Sequence, residues 1–306
     1  MSRCLVTGGA GFIGSHLVDA LLAAGQTVRV LDDFSAGKLE NLAHVADRIE
    51  LVRGSVTQPD IVRRAIGDCD VVYHLAAIAS VTKSVEAPVT SHEVIATGTL
   101  HVLEAARKLG VRRVVYAGSS SAYGDQPGTE RLETDALIPL SPYAAAKLAG
   151  ELYCTAFTAV HNLQTVRLRF FNVFGPRQDA LSPYSGVIAL FIAAMKQGMA
   201  PTIFGDGLQA RDFVYVANVV QALRLAADSP AAIGKVYNIG NGESTTVLDL
   251  VKHLNDLLGT RIQPNHQPAR AGDVRLSQAD IGLARAELGY NPTVSFRDGL
   301  AKTVGG

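Results

Sequence analysis

Tyr143 and Lys147 stand four positions apart in SPYAAAKLAGELY (141–153), which reads as the start of an amphipathic helix. On a helix that spacing brings both side chains to one face, one turn apart. Packing alone asks for neither a phenol nor an ammonium group there. Together they suit proton transfer. A free tyrosine, with a pKa of about 10, is a poor base at neutral pH, and a nearby ammonium lowers that value by stabilising the phenolate. Such a phenolate can take a proton from a hydroxyl while hydride leaves the same carbon.

Hydride transfer needs an acceptor, and VTGGAGFIG (6–14) is built to hold one. Gly9, Gly11 and Gly14 fit GxGxxG, while Gly8, Gly11 and Gly14 fit GxxGxxG. Glycines allow a tight turn and let the backbone approach a pyrophosphate at a helix N-terminus. Asp32 follows Gly14 by 18 residues at the end of an apolar run, where a carboxylate hydrogen-bonds the adenosine ribose. A carboxylate there repels a 2′-phosphate, so the expected cofactor is NAD rather than NADP.

These residues need a scaffold, and the first half of the chain supplies an alternation. Strand-like runs at 3–7, 27–32, 49–54, 70–76, 112–118 and 163–170 are separated by helical stretches at 11–25, 59–67, 90–109 and 142–161. Short β-branched strands alternating with helices predict an α/β fold, a Rossmann-type doubly wound parallel sheet. After about residue 170 the alternation breaks down among Gly and Pro, which predicts a smaller mixed α/β substrate-binding lobe. The expected division is 1–170 for the dinucleotide and 171–306 mainly for the substrate. A strand near 235–240 is expected to return to the main sheet.

The 306 residues are 48% hydrophobic with a net charge of zero, which allows a large core and argues against a nucleic-acid partner. GVIALFIAAM (186–195) is too short to span a membrane, and no signal-peptide pattern opens the chain. The three cysteines lack CxxC spacing and the histidines lack HxH or HxxxH pairing, so reduced thiols, no metal site and a cytoplasmic location are expected.

Taken together, TGGAGFIGSHL, HLAA (74–77), GSSSAYGD (118–125), SPYAAAK, RFFNVFGPRQ (169–178), IFGDGLQARDFVYV (203–216) and RAGDVRLSQAD (270–280) resemble an extended short-chain dehydrogenase/reductase of the nucleotide-sugar epimerase/dehydratase type. The resemblance runs over essentially the whole chain. It implies a catalytic set of Ser119, Tyr143 and Lys147. It implies that NAD contacts Gly8, Gly11, Phe12, Ile13, Gly14, Asp32, Asp33, Ser35, Gly37, Ser55, Val56, Leu75, Ala76, Ala77, Phe170 and Val173, besides Tyr143 and Lys147. It implies that a UDP-sugar contacts Ser80, Ser119, Ser120, Tyr143, Asn172, Val187, Phe204, Arg211, Arg270, Asp273 and Ser277. Among these, Arg211 and Arg270 would hold the diphosphate, for which forked guanidinium donors are suited. The resemblance also implies a homodimer paired through helices near 90–109 and 143–161.

Within that family, dehydratases and decarboxylases place an acid in or near the serine motif, and residues 119–121 here are all serine. The expected reaction is therefore 4-epimerisation of a UDP-hexose through a transient 4-keto sugar. A uronate 4-epimerase, a dehydratase and a non-catalytic NAD-binding subunit are the alternatives. Ser277, four residues after Asp273, matches the position that borders the hexose C2 substituent. A small residue there implies room for an N-acetyl group, so both UDP-glucose/UDP-galactose and the N-acetylated pair are expected substrates. Four positions depart from the family pattern: Ser55 where an Asp contacting adenine is common, Ile95 in place of an Asn, and Ala217 and Asn218 where acids are usual.

Overall fold

The computed structural model describes residues 2–179, 186–269 and 274–305. Its centre is a seven-stranded sheet, parallel throughout. In chain order its strands are β1 (Arg3–Thr7), β2 (Thr27–Asp32), β3 (Ile49–Arg53), β4 (Val71–His74), β5 (Arg113–Ser119), β6 (Gln164–Phe170) and, later, the returning strand Val236–Ile239. The spatial order is returning strand, β6, β5, β4, β1, β2, β3, so the order reverses beside β1. An open parallel sheet binds ligands outside the carboxyl ends of its strands at such a reversal.

Continuous apolar runs form these strands because both faces are covered, and the side-chain period of two divides each run between two cores. From β1, β4 and β5, the residues Cys4, Val6, Val71, Tyr73, Val115 and Ala117 join one core. Their alternates Leu5, Val72, Val114 and Tyr116 join the other. Residues such as Leu5 and Val114 are wholly buried. Each contributes about 1.5–3 kcal/mol of burial, offset against the entropy of ordering the chain.

The first core is closed by α1 (Phe12–Ala23). The second is closed by α2 (Pro59–Ile66), a broken helical segment and α6 (Pro142–His161). The broken segment runs through α3 (Val81–Glu86), α4 (Pro88–His92), one π-helical turn (Glu93–Thr97) and α5 (Gly98–Lys108). The sequence predicted a single helix from 90 to 109. Pro88 ends α3 and opens α4, and the π turn follows directly.

The second lobe contains β7 (Asn172–Phe174), α7 (Val187–Lys196), β8 (Thr202–Phe204), β9 (Ala210–Arg211) and β10 (Phe213–Tyr215). After α8 (Val216–Asp228) and the returning strand, β11 (Val236–Ile239), it resumes with β12 (Thr245–Thr246), α9 (Val247–Leu258), β13 (Asn265–Gln267) and β14 (Leu276–Ser277). The chain closes with α10 (Gly282–Leu288) and α11 (Phe296–Gly305). The chain does not divide cleanly at residue 170. Val219, Leu223 and Ala226 of α8 and Ala284 and Leu288 of α10 pack into the first core with β11. Asn218 explains one departure: its Oδ1 accepts from the amides of Thr293 and Val294, and its Nδ2 donates to the Val294 carbonyl. An ionised acid could not make that donation. Ala217 beside it is exposed.

Candidate active site

A cleft of about 810 Å³ opens at the carboxyl ends of β1, β2, β4 and β5. Its floor is the glycine loop. Gly8 takes φ +71°, and a Cβ there would come within 2.9 Å of the Ala76 backbone. A Cβ on Gly14 would meet the Gly8 carbonyl at 2.1 Å. Gly9 instead packs against Val30 and does not line the cleft, so the structure selects the Gly8, Gly11, Gly14 spacing. Gly11 caps α1 without a side-chain hydrogen bond, so the helix opens onto the cleft through backbone alone.

Asp32 closes one end. Its carboxylate accepts from the amides of Ala10 and Phe34 at 2.9 and 2.8 Å, and burial raises its pKa from the usual value. Asp33 accepts from the amide and hydroxyl of Ser35. Ser55 also lines the cleft, where its hydroxyl accepts from Thr57 and so forms a local turn rather than presenting a charge. Every predicted cofactor residue lines this one cleft, from Gly8, Phe12 and Ile13 through Gly37, Val56, Leu75, Ala76 and Ala77 to Phe170 and Val173. Phe34, Lys38, Ala79, Gln178 and Asp179 also line it, and sequence reasoning missed them. Lys38 and Asp179 form an ion pair of 3.1 Å, a contact no local pattern announces.

The reactive side chains sit at the other end. The start of α6 is fixed by three devices. Ser141 caps it by accepting from the Ala144 amide, Pro142 occupies the first turn, and the Ser84 hydroxyl takes the Tyr143 amide at 3.0 Å. Tyr143 thereby faces the cleft with Ser119 and Lys147. Tyr143 packs against the buried cluster of Ile95, Ala96 and Ala146, so the residue replacing the family's Asn contributes to an apolar wall.

The sequence predicted that Lys147 would lower the pKa of the phenol. The structure reverses the direction: burial raises the Tyr143 pKa, and the hydrogen bond with Ser119 only partly opposes that. The ammonium is engaged elsewhere. It donates to the Ala117 carbonyl at 2.8 Å and lies 5.4 Å over the Tyr116 ring. Its own burial lowers Lys147 to about 8.

A buried polar row underlies this end. Thr7, His74 and Tyr116 are neighbours across β1, β4 and β5. The Thr7 hydroxyl accepts from the amides of Leu75 and Ala76, so its own hydrogen goes to His74 Nδ1 at 2.8 Å. His74 Nε2 then donates to Thr99, which donates to the Ile95 carbonyl. Burial depresses His74 to about 3, so the ring stays neutral and its tautomer is set. Tyr116 donates to the Lys147 carbonyl, and Gly150 makes room for its hydroxyl. A second anchor joins α6 to β6: Arg169 grips the Glu151 carboxylate with two nitrogens and donates to the Tyr123 hydroxyl. Both pairs lie inside apolar periodicity. The alternating Arg167 and Arg169 in LQTVRLRF were the available signal.

Of the predicted substrate residues, Ser80, Ser119 and Tyr143 line the cleft. Ser80 caps α3 by accepting from the Lys83 amide, and Ser120 opens the short 3₁₀ turn after Ser119 without lining the cleft. Asn172, Phe204, Arg211 and Ser277 fall in the second lobe, on β7, β8, β9 and β14. Arg211 and Ser277 are direct neighbours in register. Val187 begins α7 and packs into the lobe's apolar core rather than onto the cleft. Arg270 and Asp273 lie outside the described residues.

The fold and cleft define a Rossmann-type dinucleotide-binding protein in which Ser119, Tyr143 and Lys147 line one cleft. Residues 4–240 match the model of the NAD dependent epimerase/dehydratase family. A UDP-glucose 4-epimerase of Mycolicibacterium smegmatis is 42% identical, covering 99% of this chain and 97% of the relative. A crystal structure of UDP-glucose 4-epimerase with UDP-glucose from Thermotoga maritima matches with a TM-score of 0.95 and 39% identity, over 99% of this chain and 97% of that one. A UDP-N-acetylglucosamine 4-epimerase of Methanobrevibacter ruminantium, in complex with UDP-N-acetylmuramic acid, matches with a TM-score of 0.95 and 37% identity over the same shares. The chain belongs to the NAD-dependent epimerase/dehydratase family, and its cofactor is NAD.

Proposed function

We propose that the protein is a UDP-hexose 4-epimerase acting on UDP-glucose/UDP-galactose and on the corresponding N-acetylated pair. The observation that carries this reading is that Ser119, Tyr143 and Lys147 line the same cofactor cleft, with three serines and no carboxylate at 119–121. NAD, which Gly8, Gly11, Gly14 and Asp32 would hold in the cleft, would supply the hydride acceptor and donor for the sugar. Tyr143 takes the proton of the sugar 4-hydroxyl and gives it back, and Ser119 orients that hydroxyl. Lys147, held by Ala117, keeps positive charge beside the reacting pair. The absence of an acid at the serine motif leaves no group there to expel a hydroxyl, which favours epimerisation over dehydration.

Asn172, Phe204 and Arg211, with Arg270 and Asp273, are assigned to the nucleotide, and Ser277 to the C2 side of the hexose. The adjacency of Ser277 and Arg211 supports that assignment. The proposed assembly is a homodimer through the α4–α5 and α6 helices, supported by exposed Val89, Leu152, Tyr153 and Val160. The test is incubation of purified protein with UDP-galactose and with UDP-N-acetylgalactosamine, with C4 epimers resolved by chromatography. Ser277→Tyr should abolish turnover of the N-acetylated sugar and spare UDP-galactose. Absence of epimers from both sugars refutes the activity. Epimers of UDP-galactose alone refute only the assignment of Ser277.

A further inference from the structure

Asp212 follows Arg211 and is wholly buried, a carboxylate with no cation bound to it among the described contacts. Three backbone amides replace one. Asn241 donates to Oδ1 at 2.7 Å, while Gly242 and Ala279 donate to Oδ2 at 3.0 and 3.2 Å. Space for this was made in NIGNG (238–242). A Cβ on Gly240 would stand 2.5 Å from Asp212 Oδ2 and 2.6 Å from the Ala279 Cβ, and Gly242 takes φ +80°. Tyr290 fastens the same loop by donating to the Gly240 carbonyl at 2.7 Å.

The main chain of Asp212 extends the junction. Its amide donates to the Ser277 carbonyl at 2.7 Å, and its carbonyl accepts from the Asn172 amide at 3.0 Å. One residue therefore joins four separate segments: the start of β7, the β9–β10 step, the loop after β11 and the exit of β14. Three of those segments carry Asn172, Arg211 and Ser277. A buried carboxylate is costly to hold, and burial together with nearby Glu243 raises Asp212 to about 6. Charge-assisted bonds to three amides give the junction a stiffness that a neutral side chain would not.

We infer that Asp212 is a positioning residue that sets the spacing of Asn172, Arg211 and Ser277 for the nucleotide sugar. This rests on the reading of those three as substrate contacts. Asp212 touches neither the cofactor cleft nor Tyr143, so its loss should act on substrate binding and leave chemistry alone. The test compares Asp212→Asn, which turns two donors toward amide donors, with Gly240→Ala, which presses the same carboxylate from the opposite side. Wild type and both variants are assayed for NAD content, for UDP binding by calorimetry, and for KM and kcat with UDP-galactose. The expected result is a KM raised at least about tenfold and weakened UDP binding, with kcat within about threefold and NAD content unchanged. A folded Asp212→Asn protein with unaltered KM and UDP affinity overturns the inference. So does parallel loss of NAD, kcat and fold in both variants, which would make the junction purely structural. If wild type itself binds no UDP, it is the substrate assignment that fails instead.

Discussion

Lys147→Met separates what the ammonium does for the reaction from what it costs the fold. Burial moves Lys147 from 10.5 to about 8. At 1.36 kcal/mol per pH unit, carrying the charge at pH 7 costs the folded state about 3 kcal/mol. Methionine is unbranched and of similar length, so it fills the space without a charge. The variant should therefore be up to about 3 kcal/mol more stable than wild type at pH 7. The sign follows from protons bound. Between about 8 and 10.5 the unfolded chain holds a proton at Lys147 that the folded chain has lost, so wild-type stability rises with pH across that window. Above it both forms are neutral and the penalty is gone. Between pH 7 and 9.5 the advantage of the variant should thus fall by about 2 kcal/mol. Urea denaturation of cofactor-free protein at the two pH values measures this swing, and turnover should drop by at least about 10²-fold. A pH-independent difference, or a variant that retains turnover, would refute the account of Lys147 as a functional charge held against its burial cost.

Two further outcomes test the rest of the site. Tyr143→Phe should lower turnover of UDP-galactose by at least about 10²-fold while bound NAD, measured by mass spectrometry of the denatured supernatant, stays at the wild-type level. Gly150→Ala should destabilise by about 1–3 kcal/mol, because its Cβ would lie 2.4 Å from the Tyr116 hydroxyl. In Gly150→Ala with Tyr116→Phe much of that loss should return, which a double-mutant cycle in urea detects as a coupling of about 1 kcal/mol or more.

The sequence by itself determined the sheet and one end of its chemistry. Both depend on short-range rules. Alternating apolar runs specify buried parallel strands, glycines at fixed spacing specify the turn onto α1, and Tyr143 and Lys147 share a helix face because four residues make about one turn. The cofactor cleft followed, since β1, β2 and β4 must neighbour one another for the loop to work. The tertiary structure decided what depends on groups far apart in the chain. Which of Gly8 and Gly9 lines the cleft was decided by Ala76 and Val30, neither of which adjoins the loop in sequence. The direction of the Tyr143 shift was settled by enclosure, because desolvation outweighs a hydrogen bond and the ammonium is turned to Ala117. The returning strand near 235–240 was legible in the sequence, but the return of α8 and α10 to the first core around it was not. Asp212, 29 residues from Asn241 and 67 from Ala279, looked like one more polar residue in a motif until the fold closed three amides around it.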